Sequence, residues 1–417
     1  VSDIKNADRK AVVTGLGVLS PVGTGRNAFW ESLIQGRTGI RPVTLFDTAS
    51  FNVHVAGEII DFDPVALLGK KGLRTLDRST RLISSAAKLA LDDAKLEVTS
   101  NNTGSMGISV GTTFGSLHSI AQFDRVGLIE GPRYVNPSLF PNTVINSPAS
   151  QVSIRLGIKG FNTTVSTGFC AGLDAISYAC DFIRLNRADV VLAGSVEELC
   201  EETFLGFHNL GCLSGSDGSN PISCPFDARR TGVVLAEGAA ILVLEEEEHA
   251  LKRGADILGK ISGCGNSFDP SAEKNFVHKG NGLRQAVSLA LKDASLEPND
   301  IDYVSSCANS TRGLDCMETK VLKNVFGEYA FKVPVSSIKS MIGESFSASG
   351  ALSVAAAIGV INKGIIPPTV NYQQKDSECD LDYVPNQSRQ KQTENILVTS
   401  ADPYGQNSAI VISKYGR

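Results

Sequence analysis

Several things that would announce a metal, a membrane or a nucleic acid are scarce in this sequence. Five histidines are spread over 417 residues, and none stands at a zinc-like spacing from a cysteine. The nine cysteines are odd in number and scattered, without a C-x-x-C pair. That argues against a disulfide framework and for reduced, mostly buried thiols. No metal and no directly bound cofactor are expected. No apolar run approaches the roughly 20 residues needed to cross a bilayer, and Val1 to Lys10 is too polar for a signal peptide. A cytoplasmic location is expected. No run of lysine or arginine stands out, and the net charge of −5 is modest, which leaves a nucleic-acid or anionic-membrane surface without support. Partners are expected to be proteins or small molecules.

Apolar side chains and glycine are plentiful, at 42% and 40 residues. The chain is long enough to bury a large core, as one α/β domain or as two halves packed together. Short β-branched runs ending in glycine or serine alternate with helical stretches. Strands are expected at Lys10–Gly15, Gly107–Gly111, Thr163–Ser166, Asp189–Gly194 and Ala240–Glu245. A second set begins near Leu258, with Gly259–Gly263, Ile301–Ser305, Val333–Ser337, Ile396–Ser400 and Ser408–Lys414. Helical apolar spacing marks Arg78–Leu96 and Asn281–Ala294, each ahead of a strand. This alternation predicts βαβ units and two similar halves, 1–257 and 258–417. The charged stretch Glu245–Ala255 reads as a solvated helix bridging them.

Motifs along almost the whole chain resemble one family, the β-ketoacyl carrier-protein synthases of fatty-acid and type II polyketide assembly, within the thiolase superfamily. They are VVTGLGVLSPVG (Val12–Gly23), NPSLFPNTVINSPAS (Asn136–Ser150), ADVVLAGSVEE (Ala188–Glu198), PFDARRTGVVLAEGAAILVLEE (Pro225–Glu246), VSSIKSMIGESFSASG (Val335–Gly350) and IPPTVN (Ile366–Asn371). The resemblance implies a five-layered αβαβα fold and an obligate dimer. It also implies a cysteine nucleophile and two histidines that drive malonyl decarboxylation and stabilise the enolate.

All three catalytic side chains are replaced here. The T-x-C-x-x-G context aligns with Ser166–Gly172 and puts Phe169 at the nucleophile position, where a phenyl ring cannot form a thioester. Cys307 stands where the first imidazole belongs, and Glu344 closes Lys339–Gly343 in place of the second. The glycine-rich C-terminal loop reads Asp402-Pro403-Tyr404-Gly405, with Pro403 at the oxyanion-donor position and no N–H to give. None of His54, His118, His208, His249 or His278 lies in either histidine motif. By the same resemblance Asp315, Glu318 and Lys339 are structural ion-pair residues. Phe114, Gly115, Leu117, Ser119 and Phe123 match the dimer-facing helix that lines the acyl tunnel of relatives.

Cys170, one residue past Phe169 at the start of the helix expected over Ala171–Arg184, is the rival nucleophile, since a helix N-terminus lowers a thiol pKa. A small buried thiol is the commoner fate for cysteine. Cys307 fills the volume of an imidazole without its proton traffic, and Glu344 is expected to pair with Lys339 or with a polar group of a partner. Family members that keep the fold and lose the triad are chain-length factors, the ketosynthase β subunits. The resemblance implies a heterodimer with an active ketosynthase, a polyketide intermediate in an interface tunnel, and the phosphopantetheine arm of an acyl carrier protein as the delivered cofactor. Many such subunits carry glutamine at the nucleophile position, where this chain has phenylalanine. The region Gly131–Gly160 is expected to reach into the neighbour, and the isolated chain to be insoluble or an unproductive homodimer. Two alternatives stay open: a condensing or decarboxylating enzyme using Cys170 or Cys307, and a subunit that only docks and stabilises.

Overall fold

The computed structural model describes residues 9–60, 62–271 and 280–416. Ten strands carry the fold: β1 Ala11–Ser20, β2 Met106–Gly111, β3 Asn162–Val165, β4 Val190–Glu197, β5 Gly238–Glu246, β6 Gly259–Phe268, β7 Tyr303–Ser305, β8 Val335–Ser336, β9 Asn395–Ala401 and β10 Gln406–Ser413. They lie in the order β8-β7-β9-β10-β6-β1-β5-β4-β2-β3. From β1 outward the pairings run antiparallel to β5, antiparallel to β4, then parallel through β2 to β3. From β6 outward the same sequence repeats: antiparallel to β10 and β9, then parallel through β7 to β8. The two halves therefore share one topology. They meet where β1 pairs with β6 at Val12↔Lys260 and Val13↔Gly259.

Helices complete the layers. α1 (Arg78–Asp93) covers β1 and β5 on one outer face, and α7 (Asn281–Ala294) covers β6 and β10 on the other. Between the two half-sheets lie α4 (Ala171–Arg184) and α9 (Ser347–Lys363), which touch strands of both halves. This is the five-layered αβαβα arrangement. The apolar stripes of α1 and α7 face inward and their outer faces stay polar, as a helix with one covered side requires. α9 is buried on nearly every side, and its run SASGALSVAAAIGVINK is small and apolar to match.

The elements run as the periodicity predicts, with shifted ends. β1 continues to Ser20 rather than stopping at Gly15. All ten of its residues are buried, and a glycine there is what lets α1 approach: a Cβ on Gly17 would lie 1.8 Å from the Ala86 carbonyl oxygen. The bridging helix is a correction. Only α6 (Glu247–Lys252) is helical, and Glu245 is the penultimate residue of β5 with a side chain fully shielded from solvent. Its carboxylate accepts from Arg253, His249 and Thr14, so its charge is neutralised inside the fold and not solvated. Those partners hold Glu245 down to about 2, against the burial that would raise it. No described helix is long and apolar enough to cross a membrane.

Candidate functional site

The N-termini of α4 and α9 meet between the half-sheets, close enough that a Cβ on Gly172 would lie 2.2 Å from the Ser347 carbonyl oxygen. Phe169 and Cys170 form the short turn that leads into α4. Phe169 is 7% exposed, and its ring meets Phe346 edge-on with centroids 5.0 Å apart. Phe114 and Phe207 pack on the same Phe346 ring at 5.1 Å each. Four aromatic rings thus fill the space around the nucleophile position. Phe346 adopts φ +49°, a left-handed backbone that a bulky residue takes only when its surroundings compel it.

Phe169 directs its backbone N–H, the donor that a nucleophile turn offers to an oxyanion, at the Asp402 carboxylate, 3.0 Å away. Asp402 reaches it because residue 168 is glycine at φ +59°, where any Cβ would lie 2.1 Å from the same carboxylate oxygen. The Asp402 carboxylate also accepts from the Tyr404 N–H at 2.7 Å. Burial raises this carboxyl against those two bonds. By the family resemblance Pro403, which lacks an N–H, stands at the oxyanion-donor position. The structure puts Pro403 half-exposed in the turn between β9 and β10, one residue from the group that faces Phe169. The local occupant of the donor is an internal anion.

Glu344 is 1% exposed and fully engaged. One oxygen accepts from Lys339 Nζ at 2.8 Å and from Asn309 Nδ2 at 2.9 Å, and the other from Phe346 N–H and Ser349 Oγ, both at 2.9 Å. Lys339 also donates to the Cys307 carbonyl at 3.0 Å. Burial would lower the lysine, but Glu344 and its other neighbours outweigh it and leave it raised. The expected Lys339–Glu344 pair is present. Of the three residues expected in structural ion pairs, Lys339 pairs with Glu344 and Asp315 with Arg230. Asp315 faces Arg230 at 3.4 Å and accepts from the Phe226 and Asn309 N–H groups. Glu318 accepts from the Ala308 N–H, Ser306 Oγ and Thr399 Oγ1, so it works by hydrogen bonds and not as an ion pair. Together the two carboxylates clamp the Cys307–Asn309 loop.

Both thiols are buried and shifted upward. Burial, joined by Asp174, pushes the Cys170 thiol well above the ordinary cysteine value, overriding any benefit of the α4 N-terminus. Burial and the adjacent Glu318 do the same to Cys307. His54, His118, His208 and His249 are engaged with Thr48, Glu202, Asn209 and Glu245, away from these positions. His278 lies outside the described residues.

The five tunnel candidates do not converge. Phe114 turns inward to Phe346, and Gly115, at φ +64°, hands its carbonyl to Ser79 Oγ at 3.1 Å. Leu117, Ser119 and Phe123 belong to α2 (Leu117–Ile129), a helix without a single buried residue. Phe123 leans outward on Phe140 at 6.0 Å. Sequence reasoning missed Asp402, Asn309 and Phe346 as parts of the site. Their motifs carried them, but only as neighbours of the expected catalytic positions.

Two half-sheets of one topology, with two central helices whose N-termini meet at an enclosed centre, define a thiolase-like ketosynthase fold. The chain matches the model of the β-ketoacyl synthase N-terminal domain over residues 8–250 and that of the C-terminal domain over 258–373. It belongs to the β-ketoacyl synthase family. It is 35% identical over 408 residues to a 3-oxoacyl-[acyl-carrier-protein] synthase 2 of Coxiella burnetii, covering 97% of this chain and 99% of that relative. It is 36% identical over 420 residues to the tetracenomycin polyketide synthase ketoacyl synthase alpha subunit of Streptomyces glaucescens, covering 98% of both. Among solved structures, the ishigamide ketosynthase/chain length factor superposes with a TM-score of 0.91 at 33% identity, over 98% of this chain and 100% of that one. A type II polyketide synthase acyl-carrier protein in complex with its ketosynthase bound to the hexaketide gives 0.90 at 31% identity, with the same coverage.

Proposed function

We propose that this chain is a non-catalytic ketosynthase-like subunit, a chain-length factor, that pairs with an active ketosynthase and shapes the tunnel for a type II polyketide intermediate in the cytoplasm. The observation that carries the reading is the state of the nucleophile turn. Phe169 replaces the thiol, its ring packs against Phe346, and its N–H is held by the Asp402 carboxylate. An acyl thioester needs a sulfur and an oxyanion donor at this point, and both are taken. Glu344 and Cys307 supply neither a neutral imidazole nor a free proton carrier, since the first is salt-bridged and the second is a buried thiol. The phosphopantetheine arm of an acyl carrier protein delivers the chain to the partner's site. Leu117, Ser119 and Phe123, on the unburied helix α2, are proposed to line the shared tunnel on this subunit's side, where their bulk limits the length that fits, while Phe114 and Gly115 pack inward behind them.

The test is co-expression with the active ketosynthase of the same system, followed by intact-mass analysis of each chain after incubation with acyl- and malonyl-loaded carrier protein. Label on the partner alone, within a one-to-one complex, is the expected result. Label on this chain that disappears in Cys170→Ala or Cys307→Ala overturns the proposal and makes the chain a condensing enzyme.

A further inference from the structure

Away from the candidate site, Cys316, Asp376 and Cys379 bring their ligand atoms within 4.8 Å of one another. Cys316 sits on α8 (Arg312–Phe326), and the other two lie in the turn Asp376-Ser377-Glu378-Cys379. That turn is already braced, with the Cys379 N–H on the Asp376 carbonyl at 3.1 Å and the Glu378 N–H on the Asp376 carboxylate at 2.9 Å. The two sulfurs are 3.8 Å apart. A tetrahedral zinc bound by two thiolates at about 2.3 Å sets its sulfurs about 3.8 Å apart. The thiols are therefore spaced for a shared ion, while a disulfide needs them at roughly 2 Å.

We propose that Cys316, Cys379 and Asp376 form a binding site for a borderline-soft divalent cation, zinc foremost, with Glu378 as the fourth ligand. A Glu378 oxygen lies 3.7 Å from the Cys316 sulfur. Cys379 is fully buried, whereas Asp376 is only partly covered and Glu378 is exposed, which gives the ion a way in from solvent. Binding replaces two thiol protons with one Zn²⁺ and releases both protons to water. Two thiolates and two carboxylates exceed the charge of the ion, and Arg230 supplies a fixed cation behind them. Its side chain is 1% exposed, and Nη2 lies 3.0 Å from the Cys316 sulfur and 3.5 Å from that of Cys379. Those N–H···S bonds persist to thiolates and grow stronger. Nη1 yields Asp376, now at 2.7 Å, to the metal and keeps the Asp227 carbonyl at 2.8 Å.

The ion ties the 376–379 turn to α8, the helix whose Asp315 and Glu318 clamp the Cys307–Asn309 loop. Its effect is thus structural support for one wall of the candidate site.

The full-length chain is stripped with chelator under reducing conditions and titrated with Co²⁺ and then Zn²⁺. The expected result is one cobalt per chain with a thiolate-to-cobalt charge-transfer band, displaced by zinc. The band disappears in Cys316→Ser and in Cys379→Ser, Asp376→Asn weakens binding by about tenfold or more, and Cys212→Ser leaves it unchanged. Because a serine variant can fail to fold, X-ray absorption on the zinc-loaded wild type gives an independent reading, with two sulfurs expected at about 2.3 Å. Absence of the band in the wild type, its survival in both cysteine variants, or a Cys316–Cys379 disulfide in a non-reducing peptide map of the untreated chain overturns the proposal.

Discussion

In the proposed reading Phe169 and Asp402 close the nucleophile turn by different means, one by volume and the other by charge. Restoring the thiol alone therefore leaves the site inert: Phe169→Cys is expected to stay unlabelled by acyl-loaded carrier protein, while acylation of that variant would mean that Asp402 does not block the donor. Glu344 bears on stability. Removing it strands the Lys339 ammonium among buried groups, so Glu344→Ala is expected to lose about 3–5 kcal/mol in urea unfolding. A loss under about 1 kcal/mol would show that water reaches the lysine. Glu197, at the end of β4, accepts from Ser347 Oγ and the Phe114 N–H beside the same site, and burial lifts it from 4.5 to about 7. Between those values it holds a proton in the folded chain that the unfolded chain has lost. Stability must then fall as pH rises through that window, by about 3 kcal/mol for this group. Glu198, also raised to about 7 by burial, adds in the same direction. Glu197→Gln should flatten its share of the slope in unfolding midpoints measured from pH 4.5 to 7.5, and an unchanged slope would place the titration elsewhere.

Elements here are held together by close backbone approach as much as by apolar area. β1 and α1 come near enough at Gly17 that a single methyl group meets a carbonyl oxygen, which has no rotamer in which to retreat. Gly17→Ala is expected to destabilise by about 3 kcal/mol or more, read as a drop in thermal midpoint; a neutral result would require α1 to slide. The presence and the starts of β1 and α1 were legible in the sequence because β-branched runs and helical spacing are local signals, while their C-terminal ends, Ser20 and Asp93, were not. Glu245–Ala255 was not, because charge density looks the same whether a carboxylate is solvated or matched by buried partners. Thr14, 231 residues away in the chain, decides that case together with Arg253.

At the scale of the molecule, α2 and the segment after it leave apolar side chains unpacked: Leu128 is 86% exposed, Ile129 72%, and Tyr134 and Ile154 71% each. β3, at the end of the sheet, pairs among the described residues with β2 alone, which leaves its other edge open there. A patch and an open edge of this kind belong at an interface, as the proposed pairing with an active ketosynthase requires. Leu128→Asp combined with Ile129→Asp is expected to abolish co-purification with that partner and to leave the circular-dichroism spectrum intact. Retained one-to-one complex in the double variant would move the interface elsewhere.

The sequence by itself determined the family and the repeated strand pattern, since each is written in contiguous motifs or in periodicity, and it supplied the residues Phe169, Cys307 and Glu344 on which the non-catalytic reading is proposed. It also offered Lys339, five residues away, as one of two partners for Glu344, and the fold makes that pair. Only the tertiary structure decided what occupies the emptied positions. Asp402 reaches Phe169 across 233 residues, and Cys316 meets Cys379 across 63, with no C-x-x-C spacing to signal it. Phe114 turns inward and Phe123 outward although they lie nine residues apart. Contacts of this kind depend on which elements the sheet brings together, and a local pattern carries no information about the far side of a fold.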